Sequence, residues 1–392
     1  MNIIFLGNIV PPAEIGKYSA GSVAGNKMQY YLLKYLSQME GVNLEIVSSY
    51  SHAAFPKDKL FIKGAQKELF ENVKIHQLSY INLPIVKQLV LIHKHKKMVK
   101  KLCKKHQDSI VFSYDLYPMQ GNALRKAVKK QNVKGVCLLA DLSIGGVKAH
   151  KGIKKYLQKI YDRLTLKNLK SCPNYVVLNE NIITQYIPNA NYIVVQGGVE
   201  PSEYPLECAG WNGKEKNILY TGALVDYSGI MTLIDAMGRL EDTKAVLDIY
   251  GNGPLEKAIV EKTREMKNVR FHGSTSNSEI LKLQRSAWLL INPRPVDNCI
   301  AKVTFPSKIF EYMMSGRPVL STKLNGFTEE YKDKIFWVED DSVQGLVEAI
   351  RAMLRLTEEE LEMYADNALN FMIKHKAWEE NTKSIYDFLK VI

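Results

Sequence analysis

Short apolar runs alternate with longer amphipathic stretches along the whole chain. In the first half, residues 3–6, 44–48, 110–113, 135–139, 175–178 and 193–195 are apolar segments of strand length. Residues 25–38, 83–106, 120–131 and 152–170 lie between them and read as helices. The second half repeats the scheme. Strands are expected at 218–221, 245–250, 269–272, 288–292, 318–321 and 336–338, and helices at 229–239, 255–266, 277–286, 306–315 and 343–356. A helix pair, 358–374 and 378–391, closes the chain. Strands alternating with helices predict parallel sheets covered on both faces, an α/β fold. Gly197 and Gly198 break the alternation, and the turn-rich, polar stretch 201–216 is the best linker in the chain. The pattern supports two Rossmann-like domains with a cleft between them, over 1–200 and 214–374, followed by a terminal helical segment, 375–392.

The densest candidate chemistry lies in 288–322, WLLINPRPVDNCIAKVTFPSKIFEYMMSGRPVLST. An apolar run, a polar loop, Pro306 in the first turn of a helix, a stop at Gly316 and a second apolar run make one βαβ unit. Such sheets bind ligands at the carboxyl ends of their strands. Lys308 and Glu311 stand three apart and share a face with Ser315, while Ile309, Tyr312 and Met313 can point at the sheet. A lysine in the first turn opposes the helix dipole. A ligand phosphate at that end would reverse the sign, because the free N–H groups and the lysine would both serve it. Glu311, one turn deeper, would then accept hydrogen bonds from sugar hydroxyls. The same two residues also read as a solvated pair worth ~0.2–0.5 kcal/mol.

Composition narrows the class. With 392 residues, 46% hydrophobic and 24% charged, the chain suits two globular domains. No run of 18 apolar residues exists, and the start, MNIIFLGNIVPP, reads as a first strand rather than a signal peptide. Five scattered cysteines show neither metal nor disulfide spacing, which suits a reducing cytoplasm. The net charge of +12 is uneven: residues 1–200 hold 29 Lys and Arg against 12 Asp and Glu, and the remainder is mildly acidic. A basic half implies an anionic partner. The run 87–106 carries eight lysines and three histidines beside apolar residues, a pattern suited to an anionic membrane surface or a lipid-linked phosphate, or to a solvated face packed on its own sheet. No nucleic-acid motif accompanies the charge.

Three smaller features stand apart. The loop after the first strand holds Gly21, Ser22, Gly25 and Asn26 before a helix, where small residues let backbone N–H groups approach an anion; the spacing is not GxGxxG, and a plain flexible loop reads equally well. Asp141 follows a strand, as a cleft residue or a turn and cap aspartate. His52, His150 and His272 have no partners at metal-ligand spacing, and no order of Ser, His and Asp supports nucleophilic hydrolysis.

The motif FPSKIFEYMMSGRPVLST resembles the nucleotide-sugar site of GT-B fold glycosyltransferases of family 4, nearest to the bacterial members that build exopolysaccharide and other surface glycans. The resemblance implies that Glu311 holds the nucleotide ribose, that Lys308, with Arg294 or Lys302, holds the diphosphate, and that Pro306 and Ser307 border the donor. YTGALVDYSG resembles the loop wrapped round the diphosphate, which brings in Gly222 and Ala223. YGNGP, with Tyr250, Gly251 and Asn252, would border the base, and FHGST, with His272 and Gly273, would read its edge through the backbone. In the first domain Gly21, Ser22, Gly25 and Asn26 would face the donor phosphates and acceptor, and Asp141 would contact the acceptor or act as a base. The last helix would cross back to the first domain. Two departures stand out: Ser228 occupies the place of a common loop lysine, and Val303 that of a first glutamate, with Asp297 the nearest substitute. The implied activity is retaining transfer of a sugar from a nucleotide diphosphate donor, UDP being the commonest, to a glycan or lipid-linked glycan acceptor. It needs no cofactor or metal, involves no nucleic acid, and belongs in the cytoplasm, at most peripheral to the inner face of the membrane. A non-catalytic GT-B subunit that stabilises a partner glycosyltransferase, and a sugar-nucleotide epimerase, remain open.

Overall fold

A computed structural model of the chain describes residues 1–17, 22–49, 52–131, 133–140, 142, 152–204, 211, 213, 215–297 and 306–392. The chain divides into two compact units, Met1–Gly197 together with Trp378–Ile392, and Gly198–Ala377.

Unit one contains strands β1 (Asn2–Gly7), β2 (Asn43–Ser48), β3 (Phe61–Ile62), β4 (Ala65–Phe70), β5 (Val73–Gln77), β6 (Tyr80–Ile81), β7 (Ser109–Tyr114), β8 (Lys134–Leu139), β9 (Asn174–Val177) and β10 (Asn191–Val194). Its helices are α1 (Val23–Gln38), α2 (Val86–Lys105), α3 (Pro118–Gln131), α4 (Ile153–Leu169) and α5 (Asn181–Tyr186). Among the described residues, eight strands form one sheet in the order β10-β9-β8-β7-β1-β2-β5-β4. The sheet is not wholly parallel, as the apolar pattern predicts, because β4 runs antiparallel to β5 at its edge. Asn72, at φ 66, turns the chain between them, a conformation that a short polar side chain tolerates. β3 and β6 form a separate antiparallel ribbon. These four strands have no long apolar run, because antiparallel strands with a solvated face mix polar residues with apolar ones, and β5, though paired with both β2 and β4, has Lys74, His76 and Gln77 among its five residues.

Unit two contains β11 (Lys216–Thr221), β12 (Ala245–Tyr250), β13 (Val269–Gly273), β14 (Leu289–Asn292), β15 (Val319–Thr322) and β16 (Phe336–Val338). Its helices are α6 (Ile230–Gly238), α7 (Glu256–Thr263), α8 (Asn277–Ser286), α9 (Lys308–Met314), α10 (Val343–Arg355) and α11 (Glu358–His375). All neighbours in the sheet β13-β12-β11-β14-β15-β16 are parallel. Trp288, Leu289, Ile291, Leu247 and Ile249 fill its core with α6 and α10. Hydroxyl caps start α8, α10 and α11: Ser276 accepts from Glu279 N–H, Ser342 from Gly345 N–H, and Thr357 and Glu360 cap each other. The strand order reverses between β11 and β14, the point where open α/β sheets hold ligands beyond the carboxyl ends of their strands.

The last helix, α12 (Trp378–Val391), is part of unit one. It packs on α1, burying Trp378, Ile385, Phe388 and Leu389. Tyr386 donates to the Glu40 carbonyl and Asn381 to that of Gly197.

Candidate functional site

At the carboxyl edge of the second sheet, three consecutive loops are zipped by backbone hydrogen bonds. Gly222 N–H donates to the Tyr250 carbonyl at 2.9 Å, Leu224 N–H to Asn252 at 2.9 Å, and Gly251 N–H to Gly273 at 2.8 Å. This contact has no room for a side chain at residue 251. Gly251 has φ 155, and a Cβ there would lie 1.8 Å from the Gly222 carbonyl oxygen. Gly229, at φ 76, closes the loop after β11, where a Cβ would lie 1.9 Å from the Pro293 carbonyl oxygen. Glycine thus sets how closely the loops after β11, β12 and β14 approach. Ala223 and Asn252 stand exposed on this edge. Tyr250 and His272 stack at 4.4 Å, and His272 hydrogen-bonds Asp248 at 2.8 Å, so the His272 ring is held against the sheet.

Helix α9 is pinned beside this edge by Tyr312. Its buried hydroxyl accepts from Thr221 N–H at 3.0 Å and from Thr221 Oγ1 at 3.2 Å, and donates to the Thr221 carbonyl at 3.1 Å. Gln284 Nε2 donates to the same Oγ1 at 3.1 Å. Thr221 is the last residue of β11, so the phenol completes the ladder where strand pairing stops. Sequence reasoning places Tyr312 towards the sheet but misses this role, because its partner is 91 residues away.

Pinning α9 there brings Lys308 to the first loop. A Cβ at Gly222 would lie 3.4 Å from Lys308 Cε. Among the described residues the ammonium forms no ion pair; burial pushes its pKa down, and Glu311 pulls it part of the way back. Glu311 is half-buried, and its carboxylate lies near the Tyr204 phenol. Burial first, then Glu311 and Glu203, hold that phenol above the ordinary tyrosine range. Tyr204 carries no sequence signal for this position. Pro306 is buried and Ser307 exposed, and among the described residues no side chain caps the helix. With seven residues α9 is shorter than expected, so the lysine, more than a macrodipole, is what this helix offers an anion. Ser315 does not share the open face of Lys308 and Glu311: it is buried, and its hydroxyl turns back onto the Tyr312 carbonyl.

The loop after β14 supplies Arg294, half-buried with its guanidinium 5.6 Å from the Tyr227 ring centre. Its carbonyl accepts from Thr322, and Val296 N–H donates to Asp341 at 2.7 Å. Arg294 also lies close enough to the Tyr220 phenol to oppose the rise that burial imposes on it. Tyr220 donates to the Ala223 carbonyl at 3.0 Å, and Ser228 accepts from Ile230 N–H. Asp297 is exposed at the end of the described loop, and Lys302 and Val303 lie outside the described residues.

In unit one, the side chains expected to face an anion hold the loop itself. Ser22 caps α1 by accepting from Gly25 N–H at 3.0 Å. Asn26 accepts from Val10 N–H at 2.8 Å and donates to the Val10 carbonyl at 3.1 Å. A Cβ at Gly25 would lie 2.8 Å from the Tyr114 hydroxyl. Gly21 and Asp141 lie outside the described residues. Asp115, at the carboxyl end of β7, is a buried carboxylate that sequence reasoning misses; it accepts from Ala140 N–H at 3.0 Å and has φ 57. Among the described residues no group of three or more His, Cys, Asp or Glu is arranged to hold a metal ion, and no helix is long and apolar enough to cross a membrane.

The chain is 23% identical to glycogen synthase of Mycobacterium tuberculosis over 185 residues. That match covers 45% of this chain and 43% of the relative, so the chain spans less than half the length of the curated relatives it matches. Three solved structures align over the whole chain. They are sucrose-phosphate synthase from Thermosynechococcus elongatus (TM-score 0.68, 14% identity, 99% of that chain), Anabaena HepE in complex with UDP and glucose (0.66, 14%, 100%), and an α,α-trehalose-phosphate synthase (UDP-forming) from Burkholderia xenovorans in complex with glucose-6-phosphate (0.64, 13%, 100%). The fold is GT-B, mixed α/β with two sheet-based domains. Residues 215–355, which carry the three zipped loops, Arg294, Lys308, Glu311 and Tyr312, match the family model described as glycosyl transferases group 1.

Proposed function

We propose that the protein is a retaining glycosyltransferase of the family 4 type, moving a hexose from UDP to a glycan or lipid-linked glycan in bacterial surface polysaccharide synthesis. The observation that carries the reading is Lys308. Its half-buried ammonium has no carboxylate paired with it among the described residues, and its side chain lies against the Gly222 loop at the switch point of the sheet. An unpaired cation out of water is costly unless an anion joins it, and a diphosphate over this loop is such an anion. Glu311, one turn along, takes the ribose hydroxyls. The UDP, glucose and sugar-phosphate complexes of the fold relatives support the same ligand class.

In the reaction, the bond between sugar C1 and the β-phosphate oxygen breaks, and its electron pair leaves with UDP. The acceptor hydroxyl attacks C1 on the same face and passes its proton to the leaving phosphate oxygen. Lys308 and Arg294 stabilise the charge that develops on that phosphate, the electrostatic contribution that is often the largest in such transfers. The reading calls for no protein nucleophile, metal or cofactor.

Calorimetric titration of UDP, GDP and ADP into the wild type and Glu311→Ala tests this reading. We expect UDP to bind preferentially and to weaken about tenfold or more in the variant, since a buried polar partner left unpaired costs ~1–3 kcal/mol. Turnover of a UDP-sugar panel then identifies the sugar. If no nucleotide binds the wild type, the transferase reading fails and the non-catalytic subunit replaces it. Ser228, which engages Ile230 N–H where a loop lysine is common, gives that second reading its footing.

A further inference from the structure

Helix α2 carries two different stripes. Leu91, His95, Val99 and Leu102 are buried and face inward. The opposite face begins with Val86 and Leu89 and continues one to four turns later with His93, Lys96, Lys97 and Lys100. Its apolar beginning lies in solvent: Leu89 is 64% exposed and Ile85, at the helix entry, 51%. Ile85 holds φ 67, a conformation that β-branched residues rarely adopt. The β3–β6 ribbon adds Phe61, 65% exposed, and Leu83 follows it in the chain. Phe55 joins the same tip through its N–H, which donates to the Asn82 carbonyl. These exposed apolar side chains sit on segments linked by the β3–β6 pairing and the Phe55–Asn82 bond, and a large exposed apolar patch is the usual mark of an interaction site.

The cationic continuation meets a second helix. His93, Lys96, Lys97 and Lys100 of α2 face Lys126 and Lys130 of α3 across a groove of ≈ 680 Å³ floored by Ala123 and Ala127. Among the described residues none of these five lysines forms an ion pair, whereas Lys105, farther along α2, pairs with Glu45 at 2.7 Å. Burial, then Lys126 and Arg125, push the Lys96 ammonium below its ordinary range, so cations crowd here.

We propose that this face of unit one docks on an anionic membrane, the tip entering the headgroup and acyl boundary and the lysine groove holding lipid phosphates. Charge complementarity selects the occupant. Each lysine near an anionic leaflet adds roughly fivefold to partition, and an apolar tip beside it supplies the second attachment that stable peripheral binding needs. A free phosphorylated molecule would use the groove and leave the tip unexplained. The proposal is independent of the donor reading, because it is tested without nucleotide.

The full chain is sedimented with phosphatidylcholine vesicles with and without phosphatidylglycerol, over a range of salt. Binding is expected only to the anionic vesicles and should weaken as salt rises. Replacing Lys96, Lys97 and Lys100 by alanine should lower partition about tenfold or more. Lys126→Ala with Lys130→Ala, both exposed, should also weaken it, and Leu89→Ser with Ile85→Ser should weaken it while leaving the salt dependence in place. UDP affinity should be unchanged in all three variants. Equal binding to neutral vesicles, no vesicle binding, or lysine variants that partition like the wild type would overturn the proposal. Inorganic pyrophosphate or single-stranded RNA that binds the groove when vesicles do not would overturn it in favour of a soluble polyanion.

Discussion

Tyr312→Phe removes one oxygen and, with it, the closure of β11. The hydroxyl makes three bonds to Thr221, at 3.0, 3.2 and 3.1 Å, in a site where Tyr312 and Thr221 are each 1% exposed. Phenylalanine fills almost the same volume, so the loss is of hydrogen bonding rather than packing. Gln284 still serves Thr221 Oγ1, but the Thr221 N–H loses its acceptor in the interior. Leaving one buried group unsatisfied costs ~1–3 kcal/mol; with the carbonyl also losing its donor, we expect ~2–3 kcal/mol. For a unit of this size that lowers Tm by ~4–12 °C. Urea unfolding followed by tryptophan fluorescence, with Trp288 buried in the same core, measures the loss. Amide exchange should rise in the peptide covering β11 and stay unchanged in β1 and β2. A double cycle with Thr221→Val should return a coupling of ~0.5–1.5 kcal/mol. A loss below ~0.5 kcal/mol, or no change in exchange at β11, would refute the view that this phenol holds α9 to the strand end.

Three further predictions follow from the same geometry. Lys308→Met should leave unfolding free energy unchanged or raise it, because the ammonium is desolvated and has no ion-pair partner among the described residues; UDP titration should show affinity falling about tenfold or more, and unchanged affinity would remove Lys308 from the site. Gly251→Ala forces a Cβ to 1.8 Å from the Gly222 oxygen, so calorimetry should show destabilisation at or above the upper end of ~1–3 kcal/mol together with lost UDP binding. Acid should act on unit one in two windows. Burial pushes His95 from 6.5 down to about 4, so the unfolded chain takes up its proton first, and stability falls as pH drops from 6.5 to 4. Burial opposes Glu45 ionisation, but Lys105, His76 and His106 outweigh it and hold the carboxyl at about 2. Its contribution is complete above pH 4.5 and is lost as pH falls from 4.5 towards 2. Urea midpoints against pH should flatten in the upper window for His95→Gln and in the lower one for Glu45→Gln.

Periodicity alone determined the element types of unit two, because its strands are short apolar runs, buried on both faces at β14 and β15 and on alternate residues at β12, and each helix carries one apolar stripe. It also determined that the stretch around Lys308 is a strand, a loop, a helix and a second strand, which puts Lys308 and Glu311 beyond a strand's carboxyl end. The four short strands of residues 61–81 escaped it, since strands with a solvated face have no continuous apolar signal. The return of the last helix was implied by resemblance to a family, not by its own pattern: an apolar face such as Trp378, Ile385 and Leu389 says that the helix packs, not on what. Only the tertiary structure decided which distant groups meet. It brought the Tyr312 hydroxyl to Thr221, the Lys308 stem to Gly222, the Glu311 carboxylate near Tyr204, and the lysines of α2 to those of α3. Local burial leaves a period in the sequence, whereas a contact between residues a hundred positions apart leaves none. Its geometry is set by how the elements pack.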